Sequence, residues 1–332
     1  MKSTAQLIMF VIGLLTGGVF FWLALRDVNL AALIAALRSA NFLYAGPFIA
    51  AIFLFFKLKA IRWATLIGPS NSVKPSALMP SMMVGFAGNN LLPMRLGEVI
   101  RIYLAGRDLS VSRSAILGTI MVERLFDVVS IVALVLLATL LIDAQFPLLQ
   151  AAKELLVIGA VALFAVTLFI VYPPRWLVKF SLWAIDRLPP KIAAMIQRRA
   201  EELRDGFSIL RQAAAIPRML ANSLIQWVLM TVCIFLAIAA LRIEVPLMAA
   251  PLILGLLVAG VSLPAAPGFV GTIELCFVVG LGFFGIHASE ALGAAFFYHA
   301  LNFVFVTGVG AHYLRRYHLS WRILKTHAEK AR

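Results

Sequence analysis

Few charged side chains interrupt the apolar stretches of this sequence, and they fall into three groups. The first is Asn89, Asn90, Arg95, Glu98 and Arg101. On a helix starting near Leu96, Glu98 and Arg101 are i,i+3 neighbours that can pair. The second is Glu123, Arg124 and Asp127, where the two carboxylates share one helical face at i,i+4 and Arg124 and Asp127 sit at i,i+3. Two such carboxylates repel unless cations meet them, and Arg95 and Arg101, from the adjacent broken segment, are the natural candidates. The third is Glu274, with His299 and Asn302 further along. Arginine suits phosphate, because its planar fork grips two oxygens at once. Carboxylates can balance those cations or meet a cationic group, and two that share protons also allow proton coupling. An ionised residue in the middle of a membrane helix costs about 2.5–3.5 kcal/mol, so these groups must face one another or water. Two readings stay open at this point: an ion-pair network that holds the bundle together, or a polar cavity that receives a charged head group.

No metal or cofactor is implied. The sequence has no Ser-His-Asp spacing, no phosphate-binding loop and no His/Cys cluster. Cys233 and Cys276 lie in apolar runs and read as core, His299 reads as a hydrogen-bonded bundle residue, and His312, His318 and His327 are scattered.

Those groups must be positioned by helices in lipid. Of 332 residues, 62% are apolar and 13% charged, with a mean hydropathy of +0.97. These values exclude an ordinary soluble domain, a disordered chain and a disulfide-stapled module. Residues 7–25 form a 19-residue apolar run with no small-residue cleavage site behind it, read as a retained span. Further full-length runs lie at about 42–61, 115–142, 154–172, 219–241 and 291–312. Two apolar regions break instead. One, over 76–93, holds Pro80, Gly85, Gly88, Asn89 and Asn90 and runs into Pro93 and Gly97. The other, over 251–286, holds Pro264, Pro267, Gly268 and Gly271 at its middle. Its unbroken pieces, 251–263 and 272–286, are too short to cross ~30 Å of hydrocarbon at 1.5 Å per residue. Both regions read as re-entrant hairpins, since irregular backbone at membrane depth survives only where protein or a wet cavity surrounds it.

With a cytoplasmic N-terminus, and with both hairpins returning to their own side, the inner segments are Lys2, 57–77, 95–113, 173–218 and 313–332. They hold 24 of the 29 Lys/Arg. The outer loops hold Arg26, Arg38, Lys153 and Arg242. This is the bias expected of cytoplasmic loops, and it places the C-terminus inside too. The net charge of +14 therefore reflects orientation and anionic lipid heads rather than nucleic acid. Residues 173–218 read as a cytoplasmic amphipathic connector, with a helix over 191–212 lying on the inner surface; 46 residues are too few for a usual soluble catalytic domain.

The layout contains an inverted repeat. The first half, about 42–142, runs span, hairpin, span, and the second, about 219–312, runs the same three elements upside down. Both hairpins carry Leu-Pro, then Gly, then Glu: Leu92-Pro93 with Gly97-Glu98, and Leu263-Pro264 with Gly271 and Glu274. Inverted repeats with broken helices mark transporters whose site lies between the repeats. The sequence thus predicts an all-α polytopic membrane protein. It has about six transmembrane helices plus two re-entrant helical hairpins, in one integral membrane domain over 1–332.

Three segments together, Asn89-Asn90-Leu91-Leu92-Pro93-Met94-Arg95-Leu96-Gly97-Glu98-Val99-Ile100-Arg101, Glu123-Arg124-Leu125-Phe126-Asp127 and Pro264-Ala265-Ala266-Pro267-Gly268-Phe269-Val270-Gly271-Thr272-Ile273-Glu274, resemble the flippase-like transmembrane domain of the lysylphosphatidylglycerol synthase family. The resemblance covers nearly the whole chain. It implies a lipid-translocating protein in a prokaryotic cytoplasmic (inner) membrane, in which Arg95, Glu98, Arg101, Glu123, Arg124, Asp127 and Glu274 match the family's polar positions. Bifunctional members also aminoacylate phosphatidylglycerol through a soluble domain. The sequence holds no such domain, so that activity is not carried over. Relatives tied to hopanoid and polyprenol lipids leave the substrate open.

The expected partner is a membrane lipid with an anionic or lipid-linked head group, and the sequence leaves a homo-oligomer open. On this expectation the arginines hold a phosphate while the tails stay in hydrocarbon through a lateral gap. The rivals are a lipid-modifying enzyme or glycosyltransferase partner, a scaffold whose charges are structural, and a small-solute or ion transporter. The outer loops offer Asp27, Asp143, Glu154, Glu244 and Glu290 without an acid pair, which disfavours the enzyme.

Overall fold

A segment in hydrocarbon must satisfy its own backbone, and an apolar run does so as a helix. The computed structural model describes residues 2–68, 73–141, 187–207 and 214–317, with isolated positions between 154 and 185 and at 210 and 212. No strand occurs among the described residues. Their helices are α1 (Lys2–Leu25), α2 (Leu30–Ser39), α3 (Ala45–Ile67), α4 (Pro75–Leu91), α5 (Leu96–Leu109), α6 (Arg113–Leu141), α7 (Pro190–Asp205), α8 (Ile216–Ala240), α9 (Ala249–Ser262), α10 (Thr272–Gly282) and α11 (Ala288–Arg316).

Among the described residues, four segments are long and apolar enough to cross a membrane: Phe42–Ile67, Arg113–Leu141, Ile216–Ala240 and Ala288–Arg315. Their ends differ from those of the expected runs by up to six residues, the largest difference being the extension of the first from 61 to Ile67. A fifth candidate is bent: Phe10–Leu25 meets Leu30–Ser39 at 88°. The side chain of Asn29 caps this second helix by accepting from the amides of Ala31 and Ala32, a turn that the apolar run alone does not foretell. The span expected at 154–172 lies outside the described residues, so four or five spans stand where about six are expected.

The two broken regions each fold back on themselves. In the first, Gly88 of α4 faces Gly97 and Gly85 faces Arg101, so α4 and α5 run antiparallel. In the second, Gly260 of α9 faces Thr272 and Cys276 while Gly280 faces Ile253 and Leu256, again antiparallel. Each arm has 11 to 17 residues, at most about 25 Å of helix.

Packing between elements pairs off. α3 lies against α8 at the centre. α4 packs on α3 and on α11, and its counterpart α9 packs on α8 and on α6. α5 meets α6 as α10 meets α11. α1 packs on α10 and touches both breaks, with Gly13 against Ala265 and Gly17 against Ala266. The helix expected over 191–212 is shorter, ending at Asp205. Gly206 then lies so close to Gly118 and Ala115 of α6 that a side chain there has no room. Ile192, Met195 and Ile196 on this helix stay exposed, the apolar face an interfacial helix needs.

Candidate functional site

Both breaks come from backbone that helices reject. After Pro93, Met94 and Arg95 take left-handed φ values of 60° and 52°, and α5 restarts at Leu96. Opposite, Gly268, Phe269 and Gly271 take φ of 69°, 61° and 84° between Pro267 and α10, with Pro264 in the non-helical stretch before them. Gly97, expected as part of a break, is instead helical. It is where α5 meets α4: a Cβ on it would lie 1.9 Å from the Gly85 carbonyl oxygen. Close approach, not a turn, requires glycine there.

The Gly85–Gly97 contact puts Arg101 next to α6. Its guanidinium grips Glu123 with two bonds, Nη1 to Oε1 at 3.2 Å and Nη2 to Oε2 at 2.8 Å, and stacks 3.7 Å over the Trp63 ring. Lys59 Nζ lies 2.8 Å from Glu123 Oε1 and 3.3 Å from Asp127 Oδ2. Arg62 donates to Asp127 Oδ1 at 2.7 Å and to Ser223 Oγ at 2.6 Å. Trp227 Nε1 and Ser223 Oγ also donate to that Asp127 oxygen, at 3.0 and 3.3 Å. Every charged member is buried. Such burial is tolerated only because the carboxylates are met by cations and further donors.

Several sequence expectations change here. Arg101 pairs with Glu123, not with its i,i+3 neighbour Glu98. Glu98 reaches Arg124 instead, at 3.3 Å. Arg124 and Asp127 approach only to 3.8 Å. Arg95 does not neutralise the α6 carboxylates; its guanidinium sits 5.9 Å over the Phe269 ring of the opposite break. Lys59 and Arg62, absent from the sequence candidates, supply that neutralisation. The two carboxylates expected on one face of α6, Glu123 and Asp127, are both engaged by cations.

Beside the network is a cavity of about 240 Å³ between the two broken regions. Seven candidates line it: Asn89, Asn90, Arg95, Glu98, Arg124, His299 and Asn302. Arg101, Glu123 and Asp127 stand behind its wall, and Glu274 is buried behind His299. Asn90 donates to Thr307 at 3.1 Å, whereas the side-chain oxygen of Asn89 is buried without a partner. The remaining lining is largely aromatic and aliphatic, including Phe55, Phe86, Trp227 and Phe303. A second cavity of about 220 Å³ opens beside α1, lined by Phe10, Leu92, Leu263 and Pro264, and shares Asn89, Arg95 and Phe269 with the first.

On the far wall, His299 Nδ1 lies 2.6 Å from Glu274 Oε1, and His299 Nε2 lies 2.8 Å from the Gly268 carbonyl oxygen. Glu274 Oε2 accepts the Gly271 amide at 2.7 Å, closing the start of α10. No cluster of three metal-ligating side chains occurs among the described residues. Cys233 is buried, and Cys276 is half-buried with its Sγ 3.3 Å from the Leu256 carbonyl oxygen.

With this geometry in place, comparison with known proteins adds a family. Residues 10–310 match the family model described as the lysylphosphatidylglycerol synthase TM region. A UPF0104 membrane protein of Methanothermobacter thermautotrophicus is 23% identical over 291 residues, covering 83% of this chain and 86% of the relative. No solved structure matches.

Proposed function

The chain belongs to the lysylphosphatidylglycerol synthase transmembrane family, and from that premise we propose that it carries a phosphate-bearing lipid between the leaflets of a prokaryotic inner membrane. The head group passes through the cavity between the two breaks. The tails stay in hydrocarbon and enter through the second cavity, beside α1, whose apolar lining favours a lipid over a small solute.

Arg95 carries this reading. It stands at the first break, lines both cavities, and has no carboxylate within 4 Å among the described residues. Around it, among the described residues, Lys59, Arg62, Arg95, Arg101 and Arg124 outnumber Glu98, Glu123 and Asp127 by two in apolar surroundings, with Glu274 engaged by His299 across the cavity. A phosphate in the cavity balances that excess, and Arg124, half-exposed and held by a 3.3 Å contact to Glu98 and a 3.8 Å approach to Asp127, can turn to it. The inverted repeat belongs to the same reading. The reciprocal packing of α3–α6 and α8–α11 supports half-repeats of about 42–142 and 219–312 in one membrane domain over 1–332, with both broken regions as re-entrant hairpins; the charge bias of the loops, not the packing, is what supports cytoplasmic termini.

The test is a leaflet-resolved assay in phosphatidylcholine vesicles carrying either fluorescent phosphatidylglycerol or a fluorescent polyprenyl phosphate. The protein is expected to speed loss of one probe from its leaflet, and Arg95→Ala to slow it about tenfold or more, the weight of a charge-assisted contact in a dry site. No acceleration of either probe, or an Arg95→Ala protein as fast as wild type, overturns the reading.

A further inference from the structure

His299 is pinned from both sides, and its two contacts fix how many protons the site holds. The Gly268 carbonyl can only accept, so Nε2 carries a hydrogen. At 2.6 Å, one proton must also lie between Nδ1 and Glu274 Oε1, whether on the ring or on the acid. The dyad is thus complete with one proton more than neutral histidine and ionised glutamate possess, and its net charge is then zero. Remove that proton and the imidazole keeps a single N–H. It can serve Glu274 or Gly268, never both, and the other contact becomes two lone pairs facing each other. Glu274 is tied independently by the Gly271 amide, so the contact free to yield is the one to Gly268.

Gly268 is the point at which the break can move. Its neighbour Phe269 is a non-glycine residue at φ 61°, a conformation that persists only while its surroundings enforce it. Phe269 also lines both cavities and lies under Arg95, so it forms the partition between head-group cavity and lateral cavity. We propose that the His299–Glu274 pair is the site of a co-transported proton: bound, it ties Gly268 to α11 and holds the Phe269 partition shut; released to the cavity, it lets the partition open. This rests on the transport reading above and supplies its energy source. The other titratable or charged groups around the dyad are Arg95, Glu98, Arg124 and Tyr298 on the cavity wall and Cys276 on α10; a deprotonated, singly negative dyad is countered by Arg95 and Arg124.

Glu274→Gln separates the proton from the scaffold. A glutamine can donate to Nδ1, accept from the Gly271 amide and leave Nε2–H on Gly268, so every hydrogen bond survives without the extra proton that the acid–imidazole pair binds and releases. Amide exchange across 263–271 in the full chain, corrected for intrinsic pH dependence, is expected to rise with pH in wild type. A one-proton equilibrium allows up to about tenfold per pH unit. In Glu274→Gln it is expected to stay flat. His299→Gln, which removes the imidazole from the pair, is expected to be flat too, and covers the case in which the first variant does not fold. A vesicle assay with an imposed pH gradient should accelerate wild type and leave Glu274→Gln unmoved. The same pH response in wild type and both variants overturns the proposal. If exchange responds to pH but no lipid moves, the transport reading fails and the proton site stands. If lipid moves while neither rate nor exchange heeds pH, the proton site fails alone.

Discussion

Asp127 and Glu98 are both carboxylates next to basic side chains, yet the fold treats them differently. Asp127 is 3% exposed and accepts from Arg62, Lys59, Trp227 and Ser223. Glu98 is 37% exposed, meets only Arg124, at 3.3 Å, and stands on a cavity wall. The same contrast runs through the cations: Arg101 is gripped at two points and stacked on Trp63, whereas Arg95 rests on Phe269 with no acid within 4 Å among the described residues. One set pairs its charges within itself, leaving only the Nε atoms of Arg62 and Arg101 without acceptors among its described cations, and holds α3, α5, α6 and α8 together. The other is left short of partners where two breaks meet. The ion-pair network and the cavity lining are therefore made by different residues of the same three sequence groups.

The sharpest way to break this division is to remove one acid from the satisfied set. Asp127→Ala leaves Lys59 and Arg62 buried and facing Glu123 alone, which should cost about 3–5 kcal/mol. Thermal unfolding in detergent checks this, and failure to accumulate in the membrane is the extreme form of the same result. Arg95→Ala, in the unsatisfied set, should melt with wild type. Were Asp127→Ala stable and Arg95→Ala unstable, the assignment of the two sets would be reversed.

A smaller effect should fall on both sets together. Gly97 lies between Arg95 and Arg101, and a Cβ there would meet the Gly85 carbonyl oxygen at 1.9 Å and the Asn89 amide nitrogen at 2.6 Å. Gly97→Ala must push α5 away from α4, at about 1–3 kcal/mol or more. The expected result is a lower melting temperature together with slowed lipid movement, since both ends of α5 shift. A variant that lost only one property would show the two sets to be mechanically separate.

The sequence exposed the helices better than the pairings. Run length and charge bias suffice for α3, α6, α8 and α11, and proline and glycine for both breaks. The elbow at Asn29 was hidden, because it depends on a side-chain cap rather than on hydropathy. Lys59 and Arg62 were hidden in another way. They occupy the C-terminal end of an apolar run, where long basic side chains ordinarily reach out to lipid heads. Their i,i+3 spacing beside Phe55, Phe56 and Trp63 is the signal that they face inward. The partner of Glu98 was illegible from spacing, because the left-handed turn at Met94 and Arg95 sets the direction in which α5 leaves the break. Seven of the eleven site candidates share one cavity because apolar segments spare few charges, and the few they keep must meet.

The smallest effect belongs to charges that are neither buried nor on the cavity. Arg198 and Arg199 each contact Glu202 at 3.0 Å on α7, with both guanidinium groups largely in solvent. Exposed pairs contribute at most about 1 kcal/mol, and salt screens them. Arg198→Ala should therefore leave the melting temperature nearly unchanged and lipid movement intact, although its ion pair is geometrically as good as several in the buried network. Burial, not distance, then decides which charges matter to this fold. A large loss from Arg198→Ala would mean that α7 is held to α6 by its charges rather than by the tight Gly118–Gly206 contact beneath it.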